Sequence, residues 1–297
     1  MGSTIARTYL AFQHNAHLHT LQTIISSIRP LSSLEEPNRL LFKQADPVED
    51  HHVLVTPETI FHPQGGGQPS DEGTVTLTSS SPSASSSSSS SPSPAPPKFL
   101  VSSVRMDAVN EGQVLHLGRF DSPSSTPPHH LFTPGSAVTQ AVDSEKRLYY
   151  SRLHTAGHVL GSAVRDLLEK EIPGFDELKA SHFPDSAACE FLGLIEGKWK
   201  EPIQAKVDDI IKRGLPVEID WWDEEDFKKE GLERLIPETG PGKLPAGEKF
   251  RVVRIVGAEV YPCGGTHVDS TDLCGETKVK KISRSKGISR VSYSVTK

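Results

Sequence analysis

Hydrophobic and polar positions change in short steps through the first half of the chain and shift to a helical spacing near residue 143. GTVTLT (73–78), KFLVSSV (98–104), VLHLG (114–118) and LFTPGSAVTQAVD (131–143) are strand-like runs bounded by turn residues. Between the first two lies SSSPSASSSSSSSPSPAPP, Ser79 to Pro97. Its apolar content is too low to offset the entropy lost on ordering, so it reads as a disordered loop that lengthens a β-hairpin. Loop-closure entropy grows slowly with length, which makes such an insertion tolerable. A second Pro- and Ser-rich piece, DSPSSTPPHH (121–130), separates the later runs. Residues 1–142 are therefore expected to form a small β-barrel domain.

From Asp143 the spacing is that of a helix. Leu153, Gly157, Leu160, Val164, Leu167 and Leu168 fall on one stripe, Asp143 and Ser144 offer an N-cap, Glu145 stands in the first turn, and Pro173-Gly174 ends the run. A second helical pattern covers 223–235. AACEFLGLI, VEIDWW, FRVVRIV and ISRVSYSV alternate as strands. Mixed order without regular βαβ alternation predicts an α+β second domain over 143–297, so the fold class expected for the chain is α+β. There is no internal repeat.

Composition narrows the function. The 297 residues carry 32 Lys+Arg against 38 Asp+Glu, a net charge of −6, and 35% are hydrophobic, enough for real cores. The acidic balance argues against a protein that coats nucleic acid indiscriminately, while leaving room for a local basic groove. No apolar run approaches the ~20 residues that cross a bilayer, and MGSTIARTYL lacks the features of a secretory signal. A soluble, cytoplasmic protein is expected, with no membrane and no DNA partner. Cys189, Cys263 and Cys274 are too few and scattered for a disulfide framework, which turns attention to metal or redox chemistry. Cys189 best suits a buried small hydrophobe.

His154 and His158 stand at i and i+4 on the helix, so their imidazoles leave one face about one turn apart. Partly buried structural histidines and metal ligands fit the pair equally well. CGGTH adds Cys263 and His267, a thiolate and an imidazole on a tight, glycine-permitted turn. Together the pairs supply a donor set suited to zinc. Thr155 occupies the place of the general-base Glu in H-E-x-x-H, which argues against a zincin peptidase. Gly157 and Gly161 each cost a helix about 1 kcal/mol relative to Ala, and close approach of another backbone or a substrate is their expected use. Gly65, Gly66 and Gly67 read either as bare amides for a ligand or as a flexible turn, and no Gly-Lys-Ser/Thr follows to make a phosphate loop.

TIFHPQGGGQPSDEG, HTAGH and CGGTH, in this order and with these separations, resemble the alanyl-tRNA editing proteins of the AlaX type, free-standing relatives of the alanyl-tRNA synthetase editing domain. The second domain is also similar to the editing region of threonyl-tRNA synthetase. The resemblance runs from about Val53 to the C-terminus and looks like the medium-length class, with the Ser tract as an insertion. It implies a zinc-dependent hydrolase that removes serine, and in a second role glycine, from the tRNA for alanine. It makes His154, His158, Cys263 and His267 the Zn2+ ligands, sets Thr59 near the substrate side chain and ends the glycine motif on Gln68. Many relatives have Glu where this chain has Gln64, which leaves an acid/base role there open. His182 in ASHFPD is read as a group supporting the metal, a tRNA-facing group or a surface histidine.

An aminoacyl ester is a labile bond, so positioned water and a stabilised oxyanion suffice, and no G-x-S-x-G elbow is present. Zinc has three open roles: activating water, polarising the ester carbonyl, or holding the α-amino group. Four protein donors close its shell and favour an anchoring role. For tRNA the electrostatic candidates are Lys278, Lys280, Lys281, Arg284, Lys286 and Arg290, with a solvated strand face as the competing reading. Trp221 and Trp222 read as base-stacking or as core residues. The alternative to an editing hydrolase is a noncatalytic zinc-stabilised tRNA-binding module. A synthetase is the third reading, and it would require another chain, because a barrel and a zinc domain leave no room for an aminoacylation core and no nucleotide-phosphate motif is present.

Overall fold

A computed structural model describes residues 7–45, 50–78, 97–121, 128–237 and 247–296. Its chain divides into two compact units, residues 1–64 with 70–144 and residues 65–69 with 145–297. The glycine turn, expected with the N-terminal domain, thus belongs to the second unit from Gly65 to Pro69. Among the described residues, no helix is long and apolar enough to cross a membrane.

The first unit contains β1 (Tyr9–Leu10), α1 (Ala11–His14), β2 (Thr20–Ile24), β3 (Ser27–Pro30), α2 (Glu36–Leu40), β4 (His52–Val55), β5 (Glu58–Thr59), β6 (Gly73–Leu77), β7 (Lys98–Met106), β8 (Val114–Asp121) and β9 (Ala137–Val142). Seven strands form one antiparallel sheet in the order β2-β9-β6-β7-β8-β4-β3, while β1 and β5 pair in parallel. The expected small barrel is realised as a curled half-barrel, because no ladder joins β2 to β3 among the described residues. The two residues between those strands pair elsewhere: Ile25 N donates to Ser136 O at 3.0 Å and Ser26 N to Val55 O at 2.8 Å. Strand alternation sorts the apolar side chains to two cores. Leu54 and Val114 enter the larger one with Phe61, Val75, Phe99 and Val138, whereas Val53, Val55, Leu115 and Leu117 face Leu31, Leu34 and Phe42.

The hairpin read across the Ser tract is present. Gly73 pairs with Val101 and Thr76 with Lys98 in antiparallel register. Residues 79–96 of the tract lie outside the described residues.

The second unit is built on α3 (Ser144–Leu168), followed by β10 (Asp176–Ser181), β11 (Ala188–Leu192), α4 (Lys200–Lys212), β12 (Val217–Trp222), α5 (Glu224–Lys229), β13 (Phe250–Ile255), β14 (Glu259–Pro262), β15 (Thr277–Ser285) and β16 (Ile288–Val295). Two antiparallel sheets, β10-β11-β16-β15 and β12-β13-β14, share a core with α3 and α4. Leu153, Ala156, Leu160, Ala163 and Val164 of α3 meet Cys189, Phe191, Val253, Ile255, Val291 and Tyr293 there. Residues 153–164 are all buried, so α3 is a central helix rather than one with a single apolar stripe. α4 was not read from the sequence, yet Ile203, Val207 and Ile210 stand at helical spacing on its buried face. The helical pattern at 223–235 is shorter than expected. Asp223 caps α5 in a reciprocal capping box with Asp226, and Gly231, at φ 70°, turns the chain out after Glu230.

Because Leu77 and Lys98 need only a connection, replacing Ser79–Pro97 by a short Gly-Ser turn is expected to change unfolding free energy by less than about 1 kcal/mol in a denaturant titration. A larger loss contradicts the spacer reading.

Candidate metal centre

The candidate donors come from two distant segments of the second unit, helix α3 and the turn after β14. α3 supplies His154 and His158. The β13–β14 hairpin, closed by Ala258 N donating to Ile255 O at 2.9 Å, delivers Cys263 at the end of β14, where Cys263 N continues the pairing to Arg251 O at 3.1 Å. The CGGTH turn then brings back His267.

One donor atom from each of His154, His158, Cys263 and His267 lies within 4.8 Å of every other, and the cluster can hold a metal ion. Cys263 Sγ is 3.4 Å from His154 Nε2 and 3.6 Å from His267 Nε2. The buried Nε2 of His158 has no hydrogen-bond partner. A buried lone pair left unpaired costs about 1–3 kcal/mol, and a metal ion satisfies it. Burial, helped by the nearby His182 and Arg251, holds His158 well below its ordinary pKa, which keeps the imidazole neutral. Burial pushes the Cys263 thiol up, with Arg251 opposing it, so the thiolate this site needs calls for a cation beside it. Three imidazoles and one thiol form a borderline-soft donor set that fits zinc.

Gln68 positions the cluster. Gly66 and Gly67 have φ of 54° and 81°, conformations open to glycine, and Gly65 and Gln68 bond to each other across them in a tight turn. The Gln68 side-chain carbonyl accepts from His154 Nδ1 at 2.6 Å and from Thr266 N at 3.0 Å, while its amide donates to Thr266 Oγ1 at 2.9 Å. With its proton on Nδ1, His154 presents Nε2 to the thiol, an arrangement by which a neighbouring acceptor fixes the ligand's tautomer. Ser151 also donates to Thr266 Oγ1, at 2.8 Å. Thr155, in place of a general-base Glu, bonds Ser151 O at 2.9 Å and accepts from Val268 N at 3.1 Å, so it fastens the CGGTH turn to α3. A side chain on Gly265 would collide with the His154 ring, 2.3 Å from its Cβ position.

His182 is buried, which corrects the surface reading. Gly157 makes room for it, a Cβ there falling 2.3 Å from the His182 ring. The ring lies 4.2 Å from that of His154, and its Nδ1 is 2.7 Å from the Tyr293 hydroxyl, which donates to Leu153 O. Burial lowers its pKa to about 3.

Thr59, on β5 of the first unit, is fully buried, with Oγ1 2.8 Å from His116 Nε2 and accepting from Phe61 N at 3.0 Å. Gln64 is half-buried there, its N–H donating to Val104 O. Trp222 is a core residue, edge-on to Phe227, with its indole N–H bonded to Asp220. Trp221 is half-buried. Lys278, Lys280, Lys281, Arg284 and Lys286 are exposed on or beside β15, while Arg290 pairs with Glu190 at 3.0 Å. β15 is the sheet edge opposite β10, so closeness to CGGTH in sequence does not bring the basic run to the cavity at the cluster. Cys189 is buried, as expected of a small hydrophobe.

That cavity, of about 440 Å3, is lined by His154, His158, Cys263, Gly66 and His182 at one part and by Arg165, Glu177, Glu259 and Tyr261 at another. Sequence reasoning did not find the second group. Arg165 is legible in retrospect, standing 11 residues beyond His154 on the same helix face, whereas Glu177 sits in a strand with no patterned neighbour.

Residues 250–292 match the family described as the threonyl and alanyl tRNA synthetase second additional domain. Over 84% of its length the chain is 28% identical to the alanyl-tRNA editing protein AlaX-L of Pyrococcus horikoshii, covering 52% of that protein. It is 29% identical to the alanine–tRNA ligase of Methanosarcina mazei and 30% to that of Methanosarcina acetivorans, over 87% of this chain and 25% of each ligase. The chain is therefore homologous to alanyl-tRNA editing proteins and alanyl-tRNA synthetases. It spans about half of the former relative and a quarter of the latter two.

Gln68→Leu is expected to weaken metal binding at the cluster about 10- to 100-fold in a competition titration with a chromophoric chelator, because His154 loses the acceptor that fixes its tautomer. Gln68→Glu keeps that acceptor and restores most of the affinity. Unchanged affinity in Gln68→Leu contradicts the positioning role.

Proposed function

We propose that the chain is an aminoacyl-tRNA deacylase that acts on mischarged tRNA(Ala), chiefly Ser-tRNA(Ala) with Gly-tRNA(Ala) as a second substrate, and that its metal is zinc. The observation that carries the reading is the His154, His158, Cys263, His267 cluster, with one imidazole nitrogen unpaired, in the wall of a cavity. The homology to an alanyl-tRNA editing protein supports the reaction class. A cytoplasmic location belongs to the same proposal.

The reaction adds water across the ester. A bond forms from the water oxygen to the acyl carbon, the bond from that carbon to the ribose oxygen breaks, and the ribose oxygen takes a proton. When bound, zinc supplies Lewis acidity and positive charge at the cluster. The chain's own contribution is positional. Gln68 keeps the His154 proton on Nδ1, and Thr266 and Thr155 hold the turn that carries Cys263 and His267. His154, His158, Cys263 and His267 would supply four protein donors to a metal, the number found at structural zinc sites, and this favours the second reading, a noncatalytic tRNA-binding module in which the metal is only structural.

The resemblance assigns Thr59 to recognition of the serine side chain. Its hydroxyl proton goes to His116 Nε2, because His116 Nδ1 faces Leu54 O at 3.0 Å, and one oxygen lone pair remains beyond the bond from Phe61 N.

Deacylation of Ser-, Gly- and Ala-tRNA(Ala) by the zinc-loaded chain tests the reading. Ser-tRNA(Ala) should be hydrolysed faster than Ala-tRNA(Ala), and Cys263→Ala should abolish the difference. Thr59→Val should lower the Ser-to-Ala rate ratio about 2- to 13-fold, the equivalent of one hydrogen bond of ~0.5 to 1.5 kcal/mol. Lost stability with an unchanged ratio makes Thr59 structural. Binding of tRNA without deacylation selects the noncatalytic module.

A further inference from the structure

The cavity beside the cluster continues along α3. His154, His158, Gly161 and Arg165 follow one another at spacings of four, three and four residues, so they share a face of the helix, and all but Gly161 line the cavity. At Gly161 the helix is bare, and the space is taken from outside. A Cβ there would lie 2.6 Å from Glu177 Oε2 and 2.6 Å from the Tyr261 hydroxyl. Gly161 is one turn beyond His158, about 5 Å along the axis. The Tyr261 ring stacks on His158 with centroids 4.1 Å apart. Its hydroxyl donates to His158 O at 3.2 Å and lies 3.4 Å from Glu177 Oε2.

The charges around Glu177 are already matched without it. Arg165 hydrogen-bonds Glu169 at 2.7 Å and stands within ion-pair distance of Glu259 at 3.1 Å and Asp176 at 3.6 Å, and Arg234 stands 3.9 Å from Glu259. Lys179 turns to Glu190 at 3.5 Å. Among the described residues, no Lys, Arg or His comes within ion-pair distance of the Glu177 carboxylate. Burial pushes its pKa to about 7, with Arg165 opposing and Glu259 adding to the rise, as befits a carboxylate that lacks its own cation.

We propose that Glu177 binds the α-ammonium group of the aminoacyl ester, making the part of the cavity lined by Glu177 and Tyr261 the amino-group subsite. The inference rests on the deacylase reading, which supplies a substrate whose aminoacyl part carries one cation. It also answers a question raised by the cluster. A metal enclosed by four protein donors has no free position for an amine, and Glu177 is the carboxylate lining the same cavity that has no cation within ion-pair distance among the described residues, its one side-chain partner being the neutral Tyr261 hydroxyl.

The test compares two probes, the seryl amide of 3′-amino-3′-deoxyadenosine and its N-acetyl derivative, by calorimetry with the zinc-loaded full chain. The amide resists hydrolysis, so binding is read apart from turnover. Wild type should bind the free amine on the order of tenfold or more tightly than the acetylated probe. Glu177→Gln, checked for unchanged zinc content and melting temperature, should bind the two within about twofold. Glu177→Asp should keep part of the preference. The inference is overturned if Glu177→Gln retains the full preference, if it weakens both probes equally, or if wild type shows none. Deacylation of Ser-tRNA(Ala) by wild type separates the failures. Turnover with an unmoved preference removes only Glu177, whereas no turnover and no probe binding removes the deacylase reading as well.

Discussion

One imidazole, that of His154, ties the second unit together. Its Nδ1 is held by Gln68, its Nε2 faces Cys263, and its ring packs against those of His158, His182 and His267. The contacts draw on four stretches of chain, the tight turn at 65–68, helix α3, the residue after strand β10, and the CGGTH turn, so the cluster is complete only when all four have come together. A metal at this point adds its binding energy to folding, because the unfolded chain has no preformed site.

The rings crowd together because the backbone is stripped of side chains where they meet. Gly157 and Gly265 admit His182 and His154 at distances that a Cβ would forbid. In a helix interior such a residue costs about 1 kcal/mol against alanine. Here that loss is offset by the approach of groups that carry chemistry, and Gly161 extends the pattern one turn to Glu177 and Tyr261.

Much of this was legible in the sequence where chemistry coincides with a fixed spacing. His154 and His158 at i and i+4, and Cys263 and His267 within one turn, announce the donors directly. The hairpin across the Ser tract was legible because alternation survives on both sides of it. What was hidden depends on long-range geometry. Gln68 contacts Thr266 across 198 positions, and no local pattern pairs a glutamine with a threonine so far away. Glu177 gains its meaning only from a bare helix face at Gly161. The basic run beside CGGTH in sequence is not among the residues that line the cavity, because it lies on or beside β15, the edge strand opposite β10, and nearness along the chain does not reveal that. The barrel opened into a half-barrel because the residues between β2 and β3 spend their backbone bonds elsewhere, a choice that alternation cannot reveal.

X-ray absorption at the zinc edge, on the full chain purified with its metal, tests the centre most directly. The account predicts one zinc per chain with a first shell of one sulfur near 2.3 Å and three nitrogens near 2.0–2.1 Å. A chain that takes up no metal, or a metal shell without sulfur, contradicts it.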